Sequence, residues 1–266
     1  MSELRALLWD VDGTLADTER DGHRPAFNAA FAEAGLDWQW SVERYGALLR
    51  VTGGKERIRA YLAEDHPDWL ERDDLDDLIR GLHAAKTRHY VALLEAGGIP
   101  LRPGVAALLR EAWDSGVRLA VVTTTTPANV DALLKASVAP ALGAVAFEMF
   151  EVIAAGDIVA AKKPAPDIYH YALSALNLDA RETLALEDSE NGLRAALAAD
   201  VATVVTINPY TAAQDFSGAV AVLNGLGCGE APAHHLAGLP PVELPEGRVG
   251  LGALRAWHAA AQSKMA

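Results

Sequence analysis

A chain of 266 residues, 51% of them hydrophobic, can bury a sizeable core as one large domain or as a core with a smaller satellite. Its formal net charge of −13 argues against a nucleic-acid surface or an anionic membrane as the main partner. It argues less against a small anionic substrate, because a metal and a few cations can reverse the local potential.

Leu4 to Trp9 is a short apolar run with Asp10 and Gly13 just behind it, which predicts a buried strand ending in a loop. From Arg24 to Leu94 the pattern is helical, over 25–34, 41–50, 55–63, 71–80 and 82–95, until Gly97-Gly98-Ile99-Pro100 punctuates it. Beyond Arg102 helix and strand alternate: helix 103–115, strand 117–122, helix 128–136, apolar segment 145–154, helix 166–176, strand 183–186, helix 190–199 and strand 201–207. This alternation predicts an α/β fold, a parallel sheet with helices on both faces. The helical block then reads as an insertion over the carboxyl ends of the strands, where open α/β sheets bind ligands. Residues 224–247, rich in Gly and Pro, read as an irregular strap, and Leu251 to Ala261 as a short closing helix. The expected division is a core of 1–17 and 98–225, a helical cap of 18–97 and an extension of 226–266. One cysteine, Cys228, allows no intrachain disulfide, and no apolar stretch nears the roughly 20 residues of a membrane span. With no signal-peptide pattern at the N-terminus, a cytoplasmic location is the expectation.

Four clusters carry chemistry. In Asp10-Val-Asp12-Gly13-Thr14-Leu15, two carboxylates two residues apart leave a strand and can address one small volume. Such a pair repels itself unless a cation or proton intervenes, and a hard divalent cation fits. Taken alone, the same residues serve equally to close an Asx turn. In Val122-Thr123-Thr124-Thr125-Thr126, a hydroxyl and free amides at a strand end before a helix start can cradle a phosphate, or simply cap the helix. Lys163, in Lys162-Lys163-Pro164-Ala165-Pro166, offers a rigidly held point charge, though a solvated basic turn would look the same. In Glu187-Asp188-Ser189-Glu190-Asn191-Gly192, two acids leave a strand before a helix, an arrangement that N-capping also favours. All four follow predicted strands of one sheet, which places them on one edge.

With these motifs in this order, the chain resembles the haloacid dehalogenase-like phosphatase superfamily over roughly residues 4–207. The resemblance implies a Rossmann-like core with an inserted helical cap, as in the subfamily that includes β-phosphoglucomutase. It implies Asp10 as nucleophile and Asp12 as general acid and then base. It implies Thr123 and Lys163 as holders of the phosphoryl oxygens. Mg²⁺ would be held by Asp10, the Asp12 backbone carbonyl and Asp188, with Glu187 ligating or supporting it.

In the cap region, Asp17-Thr18-Glu19, Gly22-His23-Arg24 and Val51-Thr52-Gly53-Gly54-Lys55-Glu56-Arg57 resemble the CbbY-type xylulose-1,5-bisphosphate phosphatases. A small phosphorylated sugar is therefore the expected partner, handled by a monomer without nucleic acid or membrane. Glu19 would accept sugar hydroxyls and His23 would bind hydroxyl or phosphate, Gly53 and Gly54 would allow close backbone approach, Lys55 would supply the charge for a second phosphate, and Thr52, Arg57 and Thr124 would contact the substrate. Lys55 and Arg57 would serve equally on a solvated helix face, and His23 as a partly buried cap. A β-phosphoglucomutase-type mutase or a broader sugar-phosphate phosphatase would share every core residue. A non-catalytic module would be expected to lose Asp10 or Asp12, and a dehalogenase would give Asp12 no purpose.

Overall fold

The computed structural model describes residues 2–97 and 99–265. Gly98, where the sequence reading returns the chain to the core, lies outside the described residues. β1 (Ala6–Trp9) is buried along its whole length, as its unbroken apolar run requires of a strand covered on both faces. After β1 the chain forms four helices: α1 (Arg24–Glu33), α2 (Val42–Leu48), α3 (Gly54–Asp65) and α4 (Leu75–Glu95). These enclose an aromatic core of their own, with Phe27 and Phe31 one turn apart on α1 against Trp38, Trp40, Tyr45 and Tyr61. Asn28 pins the turn between α1 and α2. Its Oδ1 accepts from Trp40 N at 2.8 Å, and its Nδ2 donates to Trp40 O at 3.1 Å. Ser41 caps α2 by accepting from Arg44 N at 3.1 Å. The sequence reading breaks residues 71–95 into two helices, whereas α4 runs unbroken. Gly81 sits on its exposed side, where a helical glycine costs only about 1 kcal/mol.

The remaining elements are α5 (Val105–Asp114), β2 (Arg118–Thr123), α6 (Pro127–Leu133), α7 (Ala139–Leu142), β3 (Phe150–Ala155), α8 (Asp167–Leu176), β4 (Thr183–Glu187), α9 (Glu190–Ala198), β5 (Ala202–Thr206), β6 (Ala221–Leu223), β7 (His235–Gly238) and α10 (Leu251–Met265). The strands form one sheet in the order β3-β2-β1-β4-β5-β6-β7, parallel except for the antiparallel pair β6–β7. Strand alternation sorts the core into two layers. Leu7, Trp9, Leu119, Val121, Leu184 and Leu186 face α5, α6 and α10, while Leu8, Ala120, Val122 and Ala185 face α8 and α9. β6 and β7 are additions to the sequence reading. β7 lies in the stretch expected to be an irregular strap, and its four residues, half of them Gly or Ala, carry too little pattern to read as a strand.

Register sets the site. Trp9 pairs with Val121 on one side and Leu186 on the other, so Asp10, Thr123 and Glu187 leave the sheet beside one another. The two connections to the helical block also meet here, through a bridge between Ala16 and Leu101 and a bond from Arg102 N to Leu15 O at 2.9 Å.

Candidate active site

Asp10 is the first residue beyond β1 and keeps its N–H on Leu186 O at 3.0 Å. The chain turns at Gly13, whose φ of +86° suits glycine and whose bare Cα lets Asp188 pack against it. Lys163 Nζ reaches Asp10 Oδ1 at 2.8 Å, Val122 O at 2.8 Å and Glu187 Oε1 at 2.6 Å. Burial alone would favour the neutral amine, but Asp10 and Glu187 hold Lys163 above its ordinary value as a cation. Thr123 is buried at the end of β2, its Oγ1 accepting from Thr125 N at 3.2 Å, and Thr126 starts α6 by accepting from Asn129 N. The Thr123 hydroxyl and the Lys163 ammonium thus line one hollow together with Asp10.

Asp10, Glu187 and Asp188 each offer an oxygen within 4.8 Å of the others, and all three are buried. Burial, with the charge of Glu187 and Asp12 added, pushes Asp10 up to about 7. Burial, then Asp10 and Glu187, pushes Asp188 well above the usual carboxylate range. Glu187 Oε2 is buried without a hydrogen-bond partner. Three hard oxygen donors that repel one another in a dry place are short of positive charge, and the set fits a divalent cation. Glu187 sits deepest: its Oε1 also accepts from Tyr169 OH at 2.5 Å, and it packs flat on Gly192, where any side chain would overlap it.

Asp12 points away from this group. Its Oδ1 accepts from Thr18 Oγ1 at 2.5 Å and from His23 Nε2 at 2.8 Å. His23 Nδ1 in turn meets Lys86 Nζ at 2.8 Å, and the ring stacks on Tyr90 at 4.1 Å. An ammonium only donates, so Nδ1 accepts and the proton of a neutral imidazole sits on Nε2, facing Asp12. Burial opposes the charge on Asp12, but His23 and Thr18 prevail and hold it far below the ordinary value. Burial brings Lys86 down to about 8.

Two hollows of about 340 and 410 Å³ share Asp12, Glu19, Arg57 and Thr124 in their walls. Thr52, Thr123, Lys163 and Asp188 line the first; His23, Gly53, Gly54 and Lys55 line the second. A π-helical turn, Glu19–His23, presents both of its ends to the second hollow. Glu19 accepts from Tyr45 OH, which accepts from the buried Arg57 at 2.8 Å. Lys55 lies 2.6 Å from Asp157, and Lys162 spans Asp157 at 3.0 Å and Glu56 at 2.9 Å, joining α3 to the loop after β3. All the residues singled out from the sequence thus gather on one edge, except that Glu187 lies behind the hollows rather than in their walls. Lys86, Tyr45, Tyr169 and Asn208 escaped the sequence reading. Each lies on a helix or in a loop, outside the four motifs, and only tertiary packing delivers it.

The model of the haloacid dehalogenase-like hydrolases matches residues 4–200. Over 258 residues the chain is 48% identical to "Protein CbbY, plasmid" of Cupriavidus necator, covering 96% of this chain and 97% of that one. It is 52% identical over 217 residues to protein CbbY of Rhodobacter capsulatus, 82% of this chain and 91% of that one. Among solved structures, a substituted CbbY from Rhodobacter sphaeroides in complex with xylulose-(1,5)bisphosphate is 48% identical with a TM-score of 0.76, over 84% of this chain and 96% of that one. β-Phosphoglucomutase from Clostridium difficile, at 17% identity and a TM-score of 0.70 over 98% of this chain and 99% of that one, shares the fold.

Proposed function

The chain belongs to the haloacid dehalogenase-like hydrolases and is a phosphatase, and from that premise we propose that it removes one phosphate from a small sugar bisphosphate, preferring xylulose 1,5-bisphosphate, by way of a phosphoryl group carried on Asp10. The observation that carries this reading is the division of labour between two carboxylates two residues apart. Lys163 grips Asp10 among phosphate-binding groups, while Thr18 and His23 turn Asp12 outward towards the hollows.

The free oxygen of Asp10 attacks phosphorus in line with the departing sugar oxygen. Negative charge on the peripheral oxygens meets Lys163 Nζ and Thr123 Oγ1, which stand beside Asp10 beforehand. Mg²⁺, held by Asp10, the Asp12 carbonyl and Asp188 with Glu187 in support, would neutralise the carboxylates and share the phosphoryl charge. Asp12 is ionised in the arrangement described above. A phosphate dianion beside it raises its proton affinity, so that it enters the first step as an acid and leaves ready to take a proton from water in the second. The covalent stage divides one difficult displacement into two easier ones.

We assign the distal phosphate to the second hollow, which Lys55, Arg57 and Gly53-Gly54 line and Asp10 does not. Residues 18–97 act as a cap that closes over the edge. The test is phosphate release from a panel of xylulose 1,5-bisphosphate, ribulose 1,5-bisphosphate and β-glucose 1-phosphate, with Mg²⁺ and with chelator. A strong Mg²⁺-dependent preference for xylulose 1,5-bisphosphate is expected. Glucose 6-phosphate formed from β-glucose 1-phosphate, with little phosphate released from any substrate, would instead make the chain a mutase.

A further inference from the structure

Beyond β5 the chain makes a tight turn, Asn208-Pro209-Tyr210-Thr211, on the side of the edge occupied by Asp188. Asn208 is fixed in this turn at every polar atom. Its N–H donates to Thr211 Oγ1 at 3.0 Å, and its carbonyl accepts from Thr211 N and Ala212 N, both at 3.0 Å. Its Oδ1 accepts from Tyr210 N at 2.9 Å. A backbone N–H only donates, so the oxygen of the amide must face Tyr210 and the NH₂ must face the other way. That NH₂ donates to Asp188 Oδ2 at 2.6 Å. The turn itself is anchored, because Arg102 binds Ile207 O at 2.6 Å and also holds Gly13 O on the loop behind Asp10. Gly13 completes the packing, since a Cβ there would come within 2.7 Å of Asn208 Nδ2.

We propose that Asn208 is a positioning residue for the divalent cation: its amide, locked by the turn, occupies Asp188 Oδ2 and aims the other oxygen of that carboxylate at the ion. The inference rests on the reading of Asp10 and Asp188 as cation ligands. A carboxylate on a strand end has two rotatable bonds and two equivalent oxygens. One firm donor on Oδ2 removes that freedom before the ion arrives, and groups that orient metal ligands in this way typically contribute 10–100-fold to affinity. Among carboxylates as crowded as these, a donor from a neutral amide also offsets repulsion without competing for the site, as a lysine there would.

The test is Mg²⁺ binding to the full chain without substrate, by titration calorimetry, for the unchanged protein, Asn208→Ser and Asn208→Ala. Serine keeps an oxygen that can accept from the turn N–H but is too short to reach Asp188. Asn208→Ser is expected to unfold in chelator at the temperature of the unchanged chain, yet to bind Mg²⁺ roughly tenfold more weakly or worse. Asn208→Ala is expected to lose at least as much affinity. In turnover, both should need more Mg²⁺ for half-maximal rate and recover most of kcat at saturation. Unchanged Mg²⁺ affinity in Asn208→Ser would overturn the inference while leaving the cation site standing. An unchanged chain that bound no Mg²⁺ would overturn the cation site and this inference together.

Discussion

At the scale of single residues, Asp10 and Asp12 are the same chemical group in different surroundings. One shares a dry pocket with two acids and a lysine; the other is held by a hydroxyl and an imidazole. Asp10→Asn keeps the shape and removes the proposed nucleophile, so kcat is expected to fall by at least roughly a thousandfold with the circular dichroism spectrum unchanged. Activity near that of the parent chain would show that another group takes the phosphoryl. Lys86 gives a prediction about pH. Its proton, held below about 8 and lost above it, meets His23 Nδ1 and adds to the His23 bond in holding Asp12 as a carboxylate. The rate is therefore expected to decline on the alkaline side, and Lys86→Arg, which stays charged, should carry that decline to higher pH. A pH profile identical to that of the parent would separate Lys86 from the chemistry. Asp10, Asp12, Thr123, Glu187 and Asp188 could be singled out in the sequence because each ends or closely follows an apolar strand, and Lys163, out on the loop after β3, because it stands in a Lys-Pro-x-Pro run. Lys86 could not be, because a lysine on a long polar helix looks like surface until the fold buries it against His23.

At the scale of elements, strands were legible where they are covered on both faces, since β1, β2, β4 and β5 are mostly apolar and nearly all buried. β7, at the sheet edge and largely exposed, carries no such run, and its pairing with β6 is decided by proximity rather than by its own residues. Helix α3 shows how an element delivers a charge. Gly53 enters it with φ of +96°, and Lys55 in the first turn then faces the second hollow, beside Asp157. Lys55→Ala is expected to raise KM for a sugar bisphosphate by roughly tenfold, the loss of one charged hydrogen bond, and to leave KM for an aryl monophosphate nearly unchanged. Equal effects on the two substrates would remove Lys55 from the substrate site.

At the scale of the whole molecule, the sheet edge and the helical block are joined by two adjacent connections and by the ion pairs of Lys55 and Lys162. The block is expected to swing on these connections, opening to admit substrate and closing to exclude bulk water. X-ray scattering should show a smaller radius of gyration when Mg²⁺ and a phosphoryl-transfer mimic bind, and an unchanged curve would mean a fixed cleft. The meeting of Ala16 with Leu101 also bears on how the chain finds its shape. β1 cannot join β2 until everything between them has been gathered in, and closing a slack loop of roughly a hundred residues is entropically costly and slow. The aromatic core of α1 to α4 is assembled from neighbours in sequence, so the block can condense early and bring its own two ends together. The long insertion then acts during folding as a ready-made spacer, and the central strands of the sheet are left to close over a short gap.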